Sequence, residues 1–333
     1  MANNENLNES LEVAWEVDSI PVPGTLIKPP GAGPFPAVVL VAGSGPTDRD
    51  WASPLLAGTN GAAPLLAEAL AHAGFASLRY DKRPSGTHPP EYWPTLAGKL
   101  SMQSHVDELT GAVRTLAEQA FVRRDQIFGL GNSEGTLHVL HYQVQQPAIP
   151  FAGLVLAAPP GRSVGVVARS QLAPQAATLP NGDALLALYD AAIDRFLAEQ
   201  PVAPDPALPQ EVQVLLLSLG NPVNLPFARE LWTADAASPL AEVDVPVLVI
   251  IGKKDLQVDW QADGEPLQRA AADRSNITFV FPENANHILK YEPQPREELT
   301  LPEVMQRYNV PDTTLDRDTV AALIDWMRSH LHS

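Results

Sequence analysis

From residue 37 onward the chain repeats one pattern: a short, continuous apolar run, then a longer stretch whose apolar residues recur every three or four positions. The runs lie at 37–42, 76–79, 126–131, 151–158, 246–251 and 276–281. Helical spacing marks residues 65–73, 101–119, about 134–146 and 319–330. Successive side chains of a strand point to opposite faces, so a strand apolar throughout must be covered on both. Such strands alternating with amphipathic helices specify an α/β fold, a parallel sheet wrapped by helices. Ahead of it, residues 11–28 alternate in a leading antiparallel hairpin, with the turn expected at Pro21 to Gly24.

Residues 163–235 interrupt the alternation with helical and Pro-rich sequence, including a stripe through Leu185, Tyr189, Ile193 and Phe196 and a nearly all-apolar run at 212–219. This reads as a helical cap inserted into a core domain made of residues 1–162 and 236–333. Packed over the C-terminal edge of the sheet, where open α/β sheets bind ligands, it would bury both stripes. The connection at 290–316 shows no strong period.

The run at 126–131 breaks directly into Gly131-Asn132-Ser133-Glu134-Gly135, a G-x-S-x-G pattern. A sharp strand-to-helix turn forces its central residue into an unfavourable conformation, and small residues two before and two after relieve the crowding. Ser133 is therefore a candidate nucleophile. A serine hydroxyl needs a base within reach and an acid to orient that base. Of eight histidines, His287 follows the end of a predicted strand, whereas His72, His105, His138 and His141 lie inside predicted helices, as packing or exposed residues. Asp255 sits just past the strand at 246–251, after Gly252; Asp259 and Asp263 lie further on, and Asp244 precedes the strand. The oxyanion of acyl transfer needs two donors. The N–H of Glu134 is one candidate, and the N–H of Ser44, or second Gly45, in the loop after residues 37–42 is the other. Charges in the run Arg79-Tyr80-Asp81-Lys82-Arg83 are expected to pair with Asp48 and Arg49 and hold that loop.

Composition narrows the partners. With 333 residues, 45% apolar and 18% charged, the chain has ample material for one insertion-bearing globular core. A net charge of −17 without a basic stripe disfavours nucleic acid and anionic membrane surfaces. The absence of Cys excludes disulfides and thiolate chemistry, and no His pair at ligand spacing suggests a metal site. Met1-Ala2-Asn3-Asn4-Glu5-Asn6 has neither a basic nor an apolar leader region, and no stretch of about 18 apolar residues follows, so a soluble cytoplasmic protein is expected.

With Ser133 after one strand, Asp255 after a later one and His287 after the last, the chain resembles the α/β-hydrolase superfamily over roughly residues 30–160 and 240–330. The segments at 43–50 and 79–83 and Ser133-Glu134-Gly135 are similar to the bacterial carboxylesterase branch related to serine aminopeptidase-like hydrolases. That resemblance implies an eight-stranded, mostly parallel sheet and hydrolysis of small-molecule carboxylic esters through an acyl-enzyme, without a cofactor. Asn132 stands where many relatives carry His, and Thr136 where a further Gly is common, so a reshaped pocket is expected. Ser at 133 argues against the dehalogenases and epoxide hydrolases of this superfamily, which use Asp there. The same triad serves amide, peptide or thioester bonds, and a different class is a catalytically silent small-molecule binding protein. Intact Ser133, Asp255 and His287 argue against the latter.

Overall fold

A computed structural model describes residues 8–86, 88 and 90–332; residues 1–7, from which the absence of a leader was inferred, lie outside them. Eight strands, β1 (Glu9–Val17), β2 (Ile20–Lys28), β3 (Phe35–Val41), β4 (Ala76–Tyr80), β5 (Val122–Asn132), β6 (Gly153–Ala157), β7 (Val247–Ile250) and β8 (Ile277–Val280), form one sheet in the order β1-β2-β4-β3-β5-β6-β7-β8. The pairs β1–β2 and β2–β4 are antiparallel and the rest parallel. The helices are α1 (Ala62–His72), α2 (Trp93–Leu96), α3 (Met102–Ala117), α4 (Glu134–Val144), α5 (Val164–Ala176), α6 (Gly182–Leu197), α7 (Gln210–Leu219), α8 (Phe227–Thr233), α9 (Ala237–Leu240), α10 (Gly264–Ala270), α11 (Leu301–Arg307) and α12 (Arg317–Ser329).

The continuous apolar strands have the cause read from their sequence. Val39 and Val41 of β3 join Ile127, Leu154 and Val249 in a core covered by α3 and α4 through Leu109, Val113, Leu137 and Leu140. Val38 and Leu40 join Phe128, Leu130, Val155 and Leu248 in a second core, covered by Leu66 and Leu70 of α1 and by Leu323 and Met327 of α12. Each such fully buried side chain contributes about 1.5–3 kcal/mol.

Three expectations need correcting. The hairpin turns at Asp18 and Ser19, with φ of 53° and 62°, rather than at Pro21 to Gly24, which belong to β2. Two successive left-handed residues match a tight hairpin's twist. Pro21 and Pro23 are tolerated because β4 pairs with β2 only from Gly24 onward, so their missing N–H groups cost no ladder bond on that side. Next, β5 starts at Val122, earlier than its apolar core, across an irregularity against β3 that polar residues 123–125 disguised. Finally, the connection at 290–316 holds the short helix α11.

Residues 163–235 carry α5 to α8 between β6 and β7, which are neighbours in the sheet. They build their own cluster from Leu185, Tyr189, Phe196, Leu216 and Trp232, and meet the C-terminal sheet edge through Glu230, which accepts from Met102 N at 2.6 Å, and Gln171, which donates to Gln257 O at 3.0 Å. Only part of the apolar run in α7 is buried. Leu216 and Leu219 turn inward, while Val214 and Leu217 remain 59% and 56% exposed. A helix apolar on consecutive positions presents all its sides, and a partner here covers one.

Candidate active site

The strand order reverses at β3, whose neighbours β4 and β5 lie on opposite sides, so the connections after β3 and β5 run in opposite directions from the C-terminal edge, the place where open α/β sheets bind ligands. Ser133 stands at the end of β5 with φ 53° and ψ −122°, a strained conformation for a residue with a side chain, costing about 1–3 kcal/mol. Several bonds hold it there. Ser133 N donates to Ala157 O at 2.8 Å, and its carbonyl accepts from Thr136 N at 3.0 Å and Thr136 Oγ1 at 2.6 Å. The flanking glycines have separate steric reasons. A Cβ on Gly131 would lie 2.3 Å from Gly135 O, and one on Gly135 would lie 2.4 Å from Val41 O. Ser133 is partly exposed between the buried Asn132 and Glu134.

The predicted acid and base are in contact. His287 Nδ1 lies 2.8 Å from Asp255 Oδ2, with both residues buried. A carboxylate only accepts, so Nδ1 carries the proton and Nε2 is left as an acceptor. The other oxygen, Asp255 Oδ1, accepts from Gln257 N at 2.7 Å and Val258 N at 3.0 Å. Gly252 lets the two loops meet, since a Cβ there would lie 2.0 Å from Ala285 O. The connection after His287 braces the acid loop from outside: Arg296 donates to Asp255 O at 2.6 Å and to Asp259 Oδ2 at 2.7 Å, and Gln257 Nε2 donates to Tyr308 Oη at 2.9 Å. The rival carboxylates are engaged elsewhere, Asp259 with Arg296, Asp263 with Arg162 and Asp244 with Arg274.

Ser133 is joined to the histidine loop through its neighbour. Asn132 Nδ2 donates to His287 O at 2.9 Å, a bond spanning 155 residues. Among the described residues the Ser133 hydroxyl itself makes no hydrogen bond. The two departures noted in the sequence thus have local tasks: Asn132 ties the elbow to the His287 loop, and Thr136 holds the carbonyl of Ser133.

Ser44 and Gly45 lie exposed in the loop after β3, and among the described residues neither Ser44 N–H nor Glu134 N–H has an acceptor. The loop's carbonyls are occupied. Gly43 O accepts from Lys82 Nζ at 2.9 Å, Ser44 O from Thr47 Oγ1 at 2.8 Å and Gly45 O from Ser85 Oγ at 3.3 Å. Gly45 takes φ 82°, which favours glycine. A Cβ on Gly43 would come 3.3 Å from Ser133 Cβ, so this loop lies directly against the nucleophile elbow.

The charged run at the end of β4, residues 79–83, does more than the expected pairing. Arg49 grips Asp81, with N to Oδ1 at 2.7 Å and Nη2 to Oδ2 at 2.9 Å, and Arg79 pairs with Asp50 at 2.6 Å. Asp48 takes no part and instead accepts from Asp50 N and Ala52 N at 2.9 and 3.0 Å; burial raises its pKa. Lys82 and Arg83 turn inward to Glu134 and Glu108. Glu134 also meets His138 Nε2 at 2.9 Å, and Glu108 meets His105 Nδ1 at 2.9 Å. His105 and His138 are therefore parts of a buried polar network rather than exposed or simply packed. Burial opposes a charge on Glu134, but Lys82 and His138 overcome it and hold the carboxyl well below the usual range. Burial, with Lys82 and His105 adding to it, lowers the pKa of His138 to about 4. A neutral His138 then donates from Nε2 to Glu134, which leaves its Nδ1 without a partner among the described residues. The sequence marks Lys82 as one charge of the run expected to hold this loop, but not its partners Gly43 and Glu134, which are 39 and 52 residues away. Among the described residues no group of three or more His, Cys, Asp or Glu could hold a metal ion, and no helix is long and apolar enough to cross a membrane.

Residues 38–300 match the model of the alpha/beta hydrolase family. Among curated proteins, Esterase EstD of Thermotoga maritima is 29% identical over 271 residues, which cover 80% of this chain and 58% of that protein. The chain thus spans less than two thirds of that relative. Among solved structures, an esterase of Pyrococcus furiosus is 15% identical with a TM-score of 0.57, over 98% of this chain and 92% of that one. Proline iminopeptidase of Mycobacterium smegmatis is 18% identical with a TM-score of 0.54, over 96% and 98%. At these identities the two structures share the fold alone.

Proposed function

The chain belongs to the alpha/beta hydrolase family, and we propose that it is a serine hydrolase that cleaves carboxylic esters of small molecules. The observation that carries this reading is the 2.8 Å contact of His287 Nδ1 with Asp255, tied through Asn132 to a strained, partly exposed Ser133. The likeness to Esterase EstD supports the ester bond as substrate. In this mechanism Ser133 Oγ attacks the ester carbonyl while its proton passes to His287 Nε2. Asp255 keeps the imidazole in the required tautomer and steadies the imidazolium. The N–H groups of Ser44 and Glu134, with Gly45 as an alternative to Ser44, hold the oxyanion. Collapse breaks the bond to the alkoxy oxygen, which leaves as an alcohol with the proton from His287. Water then attacks the acyl-enzyme, gives a proton to His287 Nε2, and releases the acid as that proton returns to Ser133 Oγ. No cofactor enters these steps. Residues 163–235 form a cap, and residues 1–162 and 236–333 the catalytic core.

Labelling with a fluorophosphonate and turnover of p-nitrophenyl esters test the reading. Wild type should be labelled and active, and Ser133→Ala should be neither. Parallel p-nitroanilide and thioester substrates report whether esters are preferred. A folded wild type that is neither labelled nor active on esters would sink the proposal in favour of a silent binding protein.

A further inference from the structure

Lys82 lies two residues past the end of β4, with its side chain only 4% exposed. Its Nζ donates to Gly43 O at 2.9 Å and pairs with the Glu134 carboxylate. Gly43 O lies on the peptide that carries the Ser44 N–H, and Glu134 carries the other proposed donor. The Gly43 carbonyl and the Ser44 N–H are the two ends of one planar trans peptide and point in opposite directions, so holding the carbonyl aims the amide. That peptide lies against the nucleophile, since a Cβ placed on Gly43 would come 3.3 Å from Ser133 Cβ. The other end of the clamp is the side chain of Glu134, whose own N–H follows Ser133 directly at the start of α4. His138 Nε2 at 2.9 Å fixes that carboxylate further.

Resting on the esterase reading above, we infer that Lys82 is a positioning residue that aims both oxyanion donors, Ser44 N–H through the Gly43 carbonyl and Glu134 N–H through the Glu134 carboxylate. An ammonium on the carbonyl also polarises the peptide and strengthens its N–H as a donor. A purely structural purpose accounts poorly for the pair. Burying two charges carries a desolvation cost, and well-packed apolar residues commonly hold a fold as well or better.

The test compares wild type, Lys82→Met and the double variant Lys82→Met/Glu134→Gln on a p-nitrophenyl ester and its thiono analogue, alongside thermal melting. The double variant leaves no charge of the pair buried alone, so it decides the matter if Lys82→Met does not fold. We expect kcat on the oxygen ester to fall about 10- to 100-fold, less than the roughly 10²–10³ lost when an oxyanion donor is removed outright. KM should stay within about twofold, since ground-state binding is not the target. Sulfur is a weak hydrogen-bond acceptor, so the thiono ester should lose less, and the preference for oxygen over sulfur should narrow. A folded double variant with wild-type kcat overturns the inference, as does an equal loss on both esters, which is the mark of a general structural defect. A wild type without Ser133-dependent turnover is a different result, because it removes the esterase reading on which the inference stands.

Discussion

Asp255→Asn separates orientation of the histidine from support of the fold. In the wild type, Oδ1 accepts two backbone N–H groups, from Gln257 at 2.7 Å and Val258 at 3.0 Å, while Oδ2 faces His287 Nδ1 at 2.8 Å. An asparagine has one oxygen and one NH2 group, and two N–H donors can be satisfied only by the oxygen. The NH2 group is thereby directed at His287, where it needs an acceptor. Nδ1 must give up its proton, and Nε2 becomes the protonated nitrogen. The imidazole then cannot take the proton of Ser133. Where a triad aspartate has been replaced in this way the loss in kcat is about 10⁴, equivalent to about 5.4 kcal/mol of barrier. The melting temperature should change little, because the loop keeps both backbone bonds. The assay is steady-state hydrolysis of a p-nitrophenyl ester, with thermal melting in the same buffer and Asp259→Asn as a control. Asp259 accepts from Arg296 at 2.7 Å, and its variant should retain activity near wild type. A folded Asp255→Asn that keeps more than about a tenth of wild-type kcat would refute the tautomer argument.

Two further predictions concern stability. His138 has a pKa of about 4 in the fold against 6.5 ordinarily, so the fold favours its neutral form. The corresponding stability is fully present above pH 6.5 and is lost as pH falls toward 4, by up to about 3 kcal/mol. His138→Gln keeps a donor for Glu134 and does not titrate; its urea midpoint should vary less over this range, and parallel losses in both proteins would contradict the assignment. Gly135→Ala drives a Cβ to 2.4 Å from Val41 O and 2.7 Å from Ala42 O, both backbone atoms. Overpacking of this kind costs typically 1–3 kcal/mol, roughly, and here it opens the elbow, so melting temperature and fluorophosphonate labelling should both drop. Unchanged values would show that the β3–α4 approach is looser than described.

What could be read from the chain was short-range or periodic. Continuous apolar runs between amphipathic helices meant a sheet covered on both faces, because side-chain alternation is a local property of any strand. Gly131 and Gly135 around Ser133 marked a turn too tight for Cβ atoms, and Asp255 and His287 were legible because each follows a strand end. The hairpin turn was misplaced because prolines signal turns locally, while their tolerance in β2 depends on where β4 stops pairing. The contacts that organise the site were decided by the tertiary structure. Lys82 reaches Gly43 and Glu134 across 39 and 52 residues, and Asn132 reaches His287 across 155. Such bonds depend on the order of strands in the sheet, which sets which loops share an edge. A lysine that the sequence places only in a charged run holding the loop becomes a buried link between Gly43 and Glu134 because β4 ends beside β3, with β5 on the other side.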